Sequence, residues 1–205
     1  LKSLIGEALK FRVAPYWYAI SLLGPAIVTL VGLILSRRYD AALAPYVFDP
    51  ASLALVAQVF GVYLIANTEE IAWRGYALPQ MQRAFSPLAA NFYLSLIWGV
   101  FHAPLFFMKG GHPAGYSLAI FALLVLSIGM IAGFVFNATR GSVLISHLLH
   151  QSFNAWGEGL RVFPVMNDGS PWPFRIMVFA IAGFGAAAAI ALAFKKTPRP
   201  LAPAA

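Results

Sequence analysis

Cysteine is absent from the 205 residues, which excludes disulfides, thiolate metal sites and a cysteine nucleophile. Charge is scarce too: 10% of residues are Asp, Glu, Lys or Arg, against about 25% in an ordinary soluble domain. The acidic residues Asp40, Asp49 and Asp168 all fall in loops between apolar runs, so the paired in-membrane aspartates of an aspartyl intramembrane protease are missing. Gly141-Ser142 opens an apolar run and reads as a helix N-cap rather than a serine nucleophile. There is no H-E-x-x-H, no internal repeat and no second domain. Period-2 alternation is absent as well, which argues against a membrane β-barrel.

What remains is overwhelmingly apolar. The chain is 60% hydrophobic with a mean hydropathy of +0.77. Helix-length apolar stretches run over residues 16–35, 52 to about 74, 87–107, 117–137, 142–156 and 174–194, and a spanning helix needs about 20 such residues. The expected fold is all-α, a polytopic transmembrane bundle of about six helices forming a single membrane-embedded domain over residues 1–205. Residues 195–205, basic and then proline-rich, read as a disordered tail. The chain begins at Leu1 rather than methionine, with no signal-peptide pattern, which leaves room for residues upstream.

The net charge of +7 would suggest nucleic acid in a soluble protein. Here the basic residues flank apolar runs, so they are expected to set topology and meet anionic lipid head groups, with no nucleic-acid partner. Lys2, Lys10, Arg12, Arg74, Arg83, Arg140, Lys195, Lys196 and Arg199 fall on one side, and Arg37, Arg38, Lys109, Arg161 and Arg175 on the other. That nine-to-five split favours a cell-membrane protein with both termini in the cytoplasm. Trp17, Trp156 and Trp172 are expected to be interface anchors, and Gly183 and Gly185 to mark close helix packing.

Against this background residues 67–75, N-T-E-E-I-A-W-R-G, stand out. Ionisable groups inside a membrane helix are costly, face the bundle interior and mark a working site. Glu69 and Glu70 are adjacent, and Arg74 follows Glu70 by one helical turn. Asn67 and Thr68 could cap a helix or orient Glu69. The amphipathic run 76–85 leads to a turn at Ser86-Pro87, with Glu69 17 residues before Ser86 and His102 16 after it. At 1.5 Å per residue both lie about 24–26 Å from the turn, at matching depth on antiparallel arms.

A third stretch adds His147, His150 and Asn154, which share one helix face at i, i+3 and i+7. His147 is expected to make a helix contact, and His112, between glycine and proline, to be a solvated loop residue. The residues supply a carboxylate to activate water, imidazoles to move a proton or bind metal, and donors for an oxyanion. They also leave open a proton-coupled transporter, although such folds favour internal repeats.

Glu69-Glu70-Ile71-Ala72-Trp73-Arg74, then His102, then His150-Gln151-Ser152-Phe153-Asn154 resembles the CPBP family of glutamate-type intramembrane proteases. That family groups CAAX prenyl endopeptidases with bacteriocin-processing and immunity proteins. Its pattern is E-E-x-x-x-R, F-x-x-x-H and H-x-x-x-N, and the resemblance covers residues 67–154. Trp98 stands where the second motif has phenylalanine. The resemblance implies that Glu69 is the general base, assisted by His102, that Glu70 and Arg74 support the site, and that His150 and Asn154 hold the oxyanion. A metalloprotease version would use Glu69, His102 and His150 as ligands of a zinc-like ion. Metal-independent chemistry is favoured, and no cofactor is firmly expected. The implied substrate is a protein or peptide entering from the bilayer, either a prenylated CAAX terminus or a leader or sorting peptide. A non-catalytic immunity or scaffold protein of the same family is the alternative.

Overall fold

Proline and short polar side chains set where the helices begin. In the computed structural model, which describes residues 10–47, 49–109 and 117–195, helix α1 (Pro15–Ser36) carries proline in its first turn, where the missing N–H is of no consequence. Helix α2 (Pro50–Ala66) is capped by Asp49, whose carboxylate accepts from the Ala51 N–H at 2.9 Å. Ser86 caps α4 (Pro87–His102) through the Ala89 N–H, and Ser142 caps α6 (Val143–Gly159) through the Ile145 N–H, as read from Gly141-Ser142. Helices α5 (Leu118–Ala138) and α7 (Trp172–Ala193) complete the bundle, with α3 (Leu78–Met81) a single turn before Ser86. No strand occurs among the described residues. His112 and residues 196–205 lie outside them.

All six apolar stretches are helical. Four helices are long and apolar enough to cross a membrane, or up to five if the bent second stretch counts as one span. The fold is therefore an all-α multi-pass membrane bundle. The expected figure of about six is approximate, with α6, at 17 residues, at the short end of the spanning range.

The second stretch departs from the expected continuous helix. Helix α2 stops at Ala66, Asn67 is extended, and the chain resumes as a π-helix over Ile71–Ala77, bent by 47° from α2. The cause is local competition for backbone hydrogen bonds. Asn67 Oδ1 accepts from the Glu69 N–H at 3.1 Å, and Thr68 O accepts from the Ile71 N–H at 3.1 Å. Both draw donors away from an i to i−4 ladder. Beyond them the Leu78 N–H reaches Trp73 O, a five-residue step.

Helix α5 packs against α4, α6 and α7, while α1 packs against α6 and α7. Val28, Phe121, Val125, Ile128, Ile145, Leu149, Met177, Val178 and Ile181 form the centre of the shared core. Lipid offers little hydrophobic drive between helices, so close approach of small residues matters. A Cβ on Gly185 of α7 would meet Ser127 of α5 at 2.9 Å, whereas Gly183 faces open space. Trp156 is half-buried, and its indole donates to Leu22 O of α1 at 2.9 Å. Helix α2 is the peripheral member. Its main partner is α6, only Val56 is buried, and Ile65 is 81% exposed, as suits a lipid-facing helix.

Candidate active site

One face of α4 builds the floor of the site. Asn91, Ser95, Trp98 and His102 recur at four-, three- and four-residue steps, so they share a helix face. The first three are buried and His102 is half-buried. That face meets α5 at two glycines. A Cβ on Gly129 would overlap Ser95, and one on Gly133 would overlap the Asn91 carboxamide. The glycines therefore let α4 approach closely enough for its polar stripe to be enclosed.

Above that floor the bent second segment presents its two glutamates to different neighbours. Glu70 is fully buried, and its Oε1 takes Arg74 Nη1 at 2.8 Å and His150 Nδ1 at 3.0 Å. Arg74, itself 1% exposed, donates through Nη2 to Gly129 O at 3.3 Å. Its guanidinium also lies over the Trp98 ring, 5.0 Å from the centroid. The Glu70–Arg74 pair thus braces α4, α5 and α6, and the Glu70 carboxylate, fully buried, does not meet incoming water.

Glu69 is different. It is half-buried, and its Oε2 accepts from the Trp98 indole at 2.7 Å and from the Trp73 indole at 3.3 Å. Its Oε1 makes no hydrogen bond among the described residues, which leaves one oxygen for another partner. His102 Nδ1 sits 2.9 Å from Trp98 O. A carbonyl only accepts, so Nδ1 carries hydrogen and a neutral His102 has its lone pair on Nε2. By the same reasoning His150 directs an Nδ1–H at the Glu70 carboxylate. Both imidazoles pack nearly perpendicular to Trp98, with ring centroids at 5.6 Å for His102 and 5.0 Å for His150.

On α6, Asn154 is half-buried and donates to Gln151 Oε1 at 3.1 Å. Gln151 Nε2 is 3.3 Å from His147 Nδ1, and His147 Nε2 is 3.0 Å from Leu64 O, so His147 ties α6 to α2. The structure thus joins Glu70, Arg74 and His150 directly and gathers Glu69 and His102 on Trp98. No hydrogen bond links Glu69 to His102 among the described residues. Among the described residues no group of three His, Asp or Glu side chains is placed to hold a metal ion.

With this geometry in view, a family model for type II CAAX prenyl endopeptidases, Rce1-like, matches residues 50–156, more than half of the chain. The chain belongs to this family. A CAAX prenyl protease 2 of Methanococcus maripaludis is 27% identical over 151 residues, covering 69% of this chain and 55% of that protein. The chain thus spans little more than half the length of that relative. The Rce1-like match encloses Glu69, Glu70, Arg74, His102, His150 and Asn154. Sequence reading of this family member passed over Trp73, Gln151 and the α4 residues Asn91 and Ser95. Each was detectable by spacing: Trp73 follows Glu69 by four, Gln151 follows His147 by four, and Asn91 and Ser95 extend the Trp98–His102 face.

Proposed function

We propose that this chain is an intramembrane endopeptidase that hydrolyses a peptide bond in a membrane-associated protein or peptide, using water activated by Glu69. The observation that carries this reading is the asymmetry of the adjacent carboxylates. Glu70 is fully buried, with Oε1 paired to Arg74 and His150 and Oε2 sealed from water, while Glu69 is half-buried with an unbonded Oε1 among the described residues. Two indole donors fix its other oxygen and therefore its orientation.

In this mechanism Glu69 Oε1 takes a proton from water as the oxygen attacks the scissile carbonyl carbon. His102, held by Trp98 O, presents Nε2 to the same water. The carbonyl electrons move onto oxygen, and that oxyanion is held by the second Nδ2 hydrogen of Asn154 and by His150 Nε2. His150 must be doubly protonated to donate there, because its Nδ1 hydrogen is committed to Glu70. Collapse breaks the C–N bond, and the proton held by Glu69 passes to the leaving amine.

The family match and the relative's name support a C-terminal CAAX peptide carrying a prenyl chain as the substrate, and the apolar outer faces of the helices suit a lipid-borne chain. The nine-to-five Lys and Arg split supports an orientation with both termini on the cytoplasmic side. The test is cleavage of a farnesylated CAAX-terminated peptide in proteoliposomes by wild type, Glu69→Ala and His102→Ala. Loss of cleavage in both variants is expected. Retained cleavage in both would remove this site from the reaction.

A further inference from the structure

Trp98 touches more of the site than any other residue, yet nothing in a hydrolysis scheme requires an indole. Packing alone would account for its burial, since it is 3% exposed and belongs to the main core cluster. Packing does not account for where its polar groups go. Its indole N–H donates to Glu69 Oε2 at 2.7 Å, shorter than the 3.3 Å bond from Trp73 to the same oxygen. Its own carbonyl accepts from His102 Nδ1 at 2.9 Å. One residue therefore orients both groups that face the water, and its ring fills the space between the two imidazoles beneath Arg74.

We propose that Trp98 is the positioning residue of this site, holding the Glu69 carboxylate through its indole N–H while its carbonyl sets the His102 tautomer. This rests on the reading of Glu69 as the base. The two devices are separable by mutation. Trp98→Phe keeps an aromatic ring and the carbonyl while it removes the N–H donor together with part of the ring volume, so His102 stays placed while Glu69 loses its shorter bond. Trp73 remains as the longer one.

A hydrogen bond to a charged group corresponds to a change of about 10- to 100-fold, and a carboxylate displaced by about 1 Å can lose a comparable factor. Trp98→Phe is therefore expected to lower kcat by about 10- to 100-fold with KM unchanged, and Trp73→Phe to lower it less. A second variant places β-(3-benzothienyl)alanine at position 98 by codon suppression. It preserves the bicyclic shape and lacks the N–H, so it should lose kcat as Trp98→Phe does even if the smaller ring unsettles the fold. Both are assayed on the farnesylated peptide beside Glu69→Ala. Wild-type kcat in the benzothienyl protein, with Glu69→Ala inactive, overturns the role of Trp98 and leaves the base intact. Full activity in Glu69→Ala overturns both.

Discussion

Replacing Arg74 by methionine isolates the largest electrostatic debt in the fold. The guanidinium is 1% exposed, bonds Glu70 Oε1 at 2.8 Å, bonds Gly129 O at 3.3 Å and covers the Trp98 ring. Methionine fills much of the same volume and supplies none of these. Glu70 stays fully buried with only His150 Nδ1 beside it, and Gly129 O loses its donor from the side chain. Breaking a buried ion pair from one side costs about 3–5 kcal/mol. At about 2–4 °C per kcal/mol for a chain of this size, Tm should fall by about 6–20 °C. The assay is thermal unfolding in detergent micelles, following loss of monomer as the sample is heated. The companion variant Glu70→Gln/Arg74→Met removes both charges and should melt above the single variant, because no uncompensated carboxylate remains. An Arg74→Met protein that melts with wild type, or a double variant less stable than the single one, would refute the brace.

Other consequences follow from contacts around the site. Gly133→Ala drives a Cβ into the Asn91 carboxamide, which is buried and bonded to Pro87 O at 2.7 Å; overpacking of this kind costs about 1–3 kcal/mol. Tm should drop accordingly and recover in Gly133→Ala/Asn91→Ala. Asn67→Ala removes the acceptor for the Glu69 N–H and should cost about 1 kcal/mol, while Asn67→Asp should retain that stability in the same melt. Cleavage should continue at the wild-type rate after treatment with 1,10-phenanthroline, since among the described residues no group of three His, Asp or Glu side chains is placed to hold a metal ion; inhibition reversed by added zinc would contradict this.

The bundle was legible in the sequence because lipid leaves so few alternatives: a run of apolar residues of spanning length must satisfy its own backbone and so becomes a helix. The polar members of the site were legible for the same reason, since a glutamate or histidine inside such a run has nowhere to go but inward. The break at Asn67 was not. An asparagine and a threonine in an apolar stretch look like tolerated interior polar residues, and only the contest between the Asn67 side chain and the helix ladder decides the matter. The partner of Trp156 was not legible either: the α1 carbonyl of Leu22 lies within reach, and a half-buried indole takes a partner where one exists. The depth match of Glu69 with His102 assumed straight arms. The structure instead brings Glu69 to the helical turn before His102 through a bend and an indole, a route that residue counting does not contain.

The bend also explains how adjacent residues come to differ so completely. Successive side chains on a helix diverge by about 100°, so a straight segment that buried Glu70 against α5 and α6 would swing Glu69 away from them. The turn that restarts at Glu69 directs that swing toward α4, where Trp98 meets it. Arg74, one turn further on, reaches back to Glu70 and lies over the same indole. The charged brace and the carboxylate of Glu69 thereby meet two different surfaces of one residue, its ring face and its N–H edge. A change at position 98 should therefore disturb Glu69 before Glu70, because the brace keeps Gly129 O and His150 as partners while the carboxylate of Glu69 retains only the longer bond from Trp73.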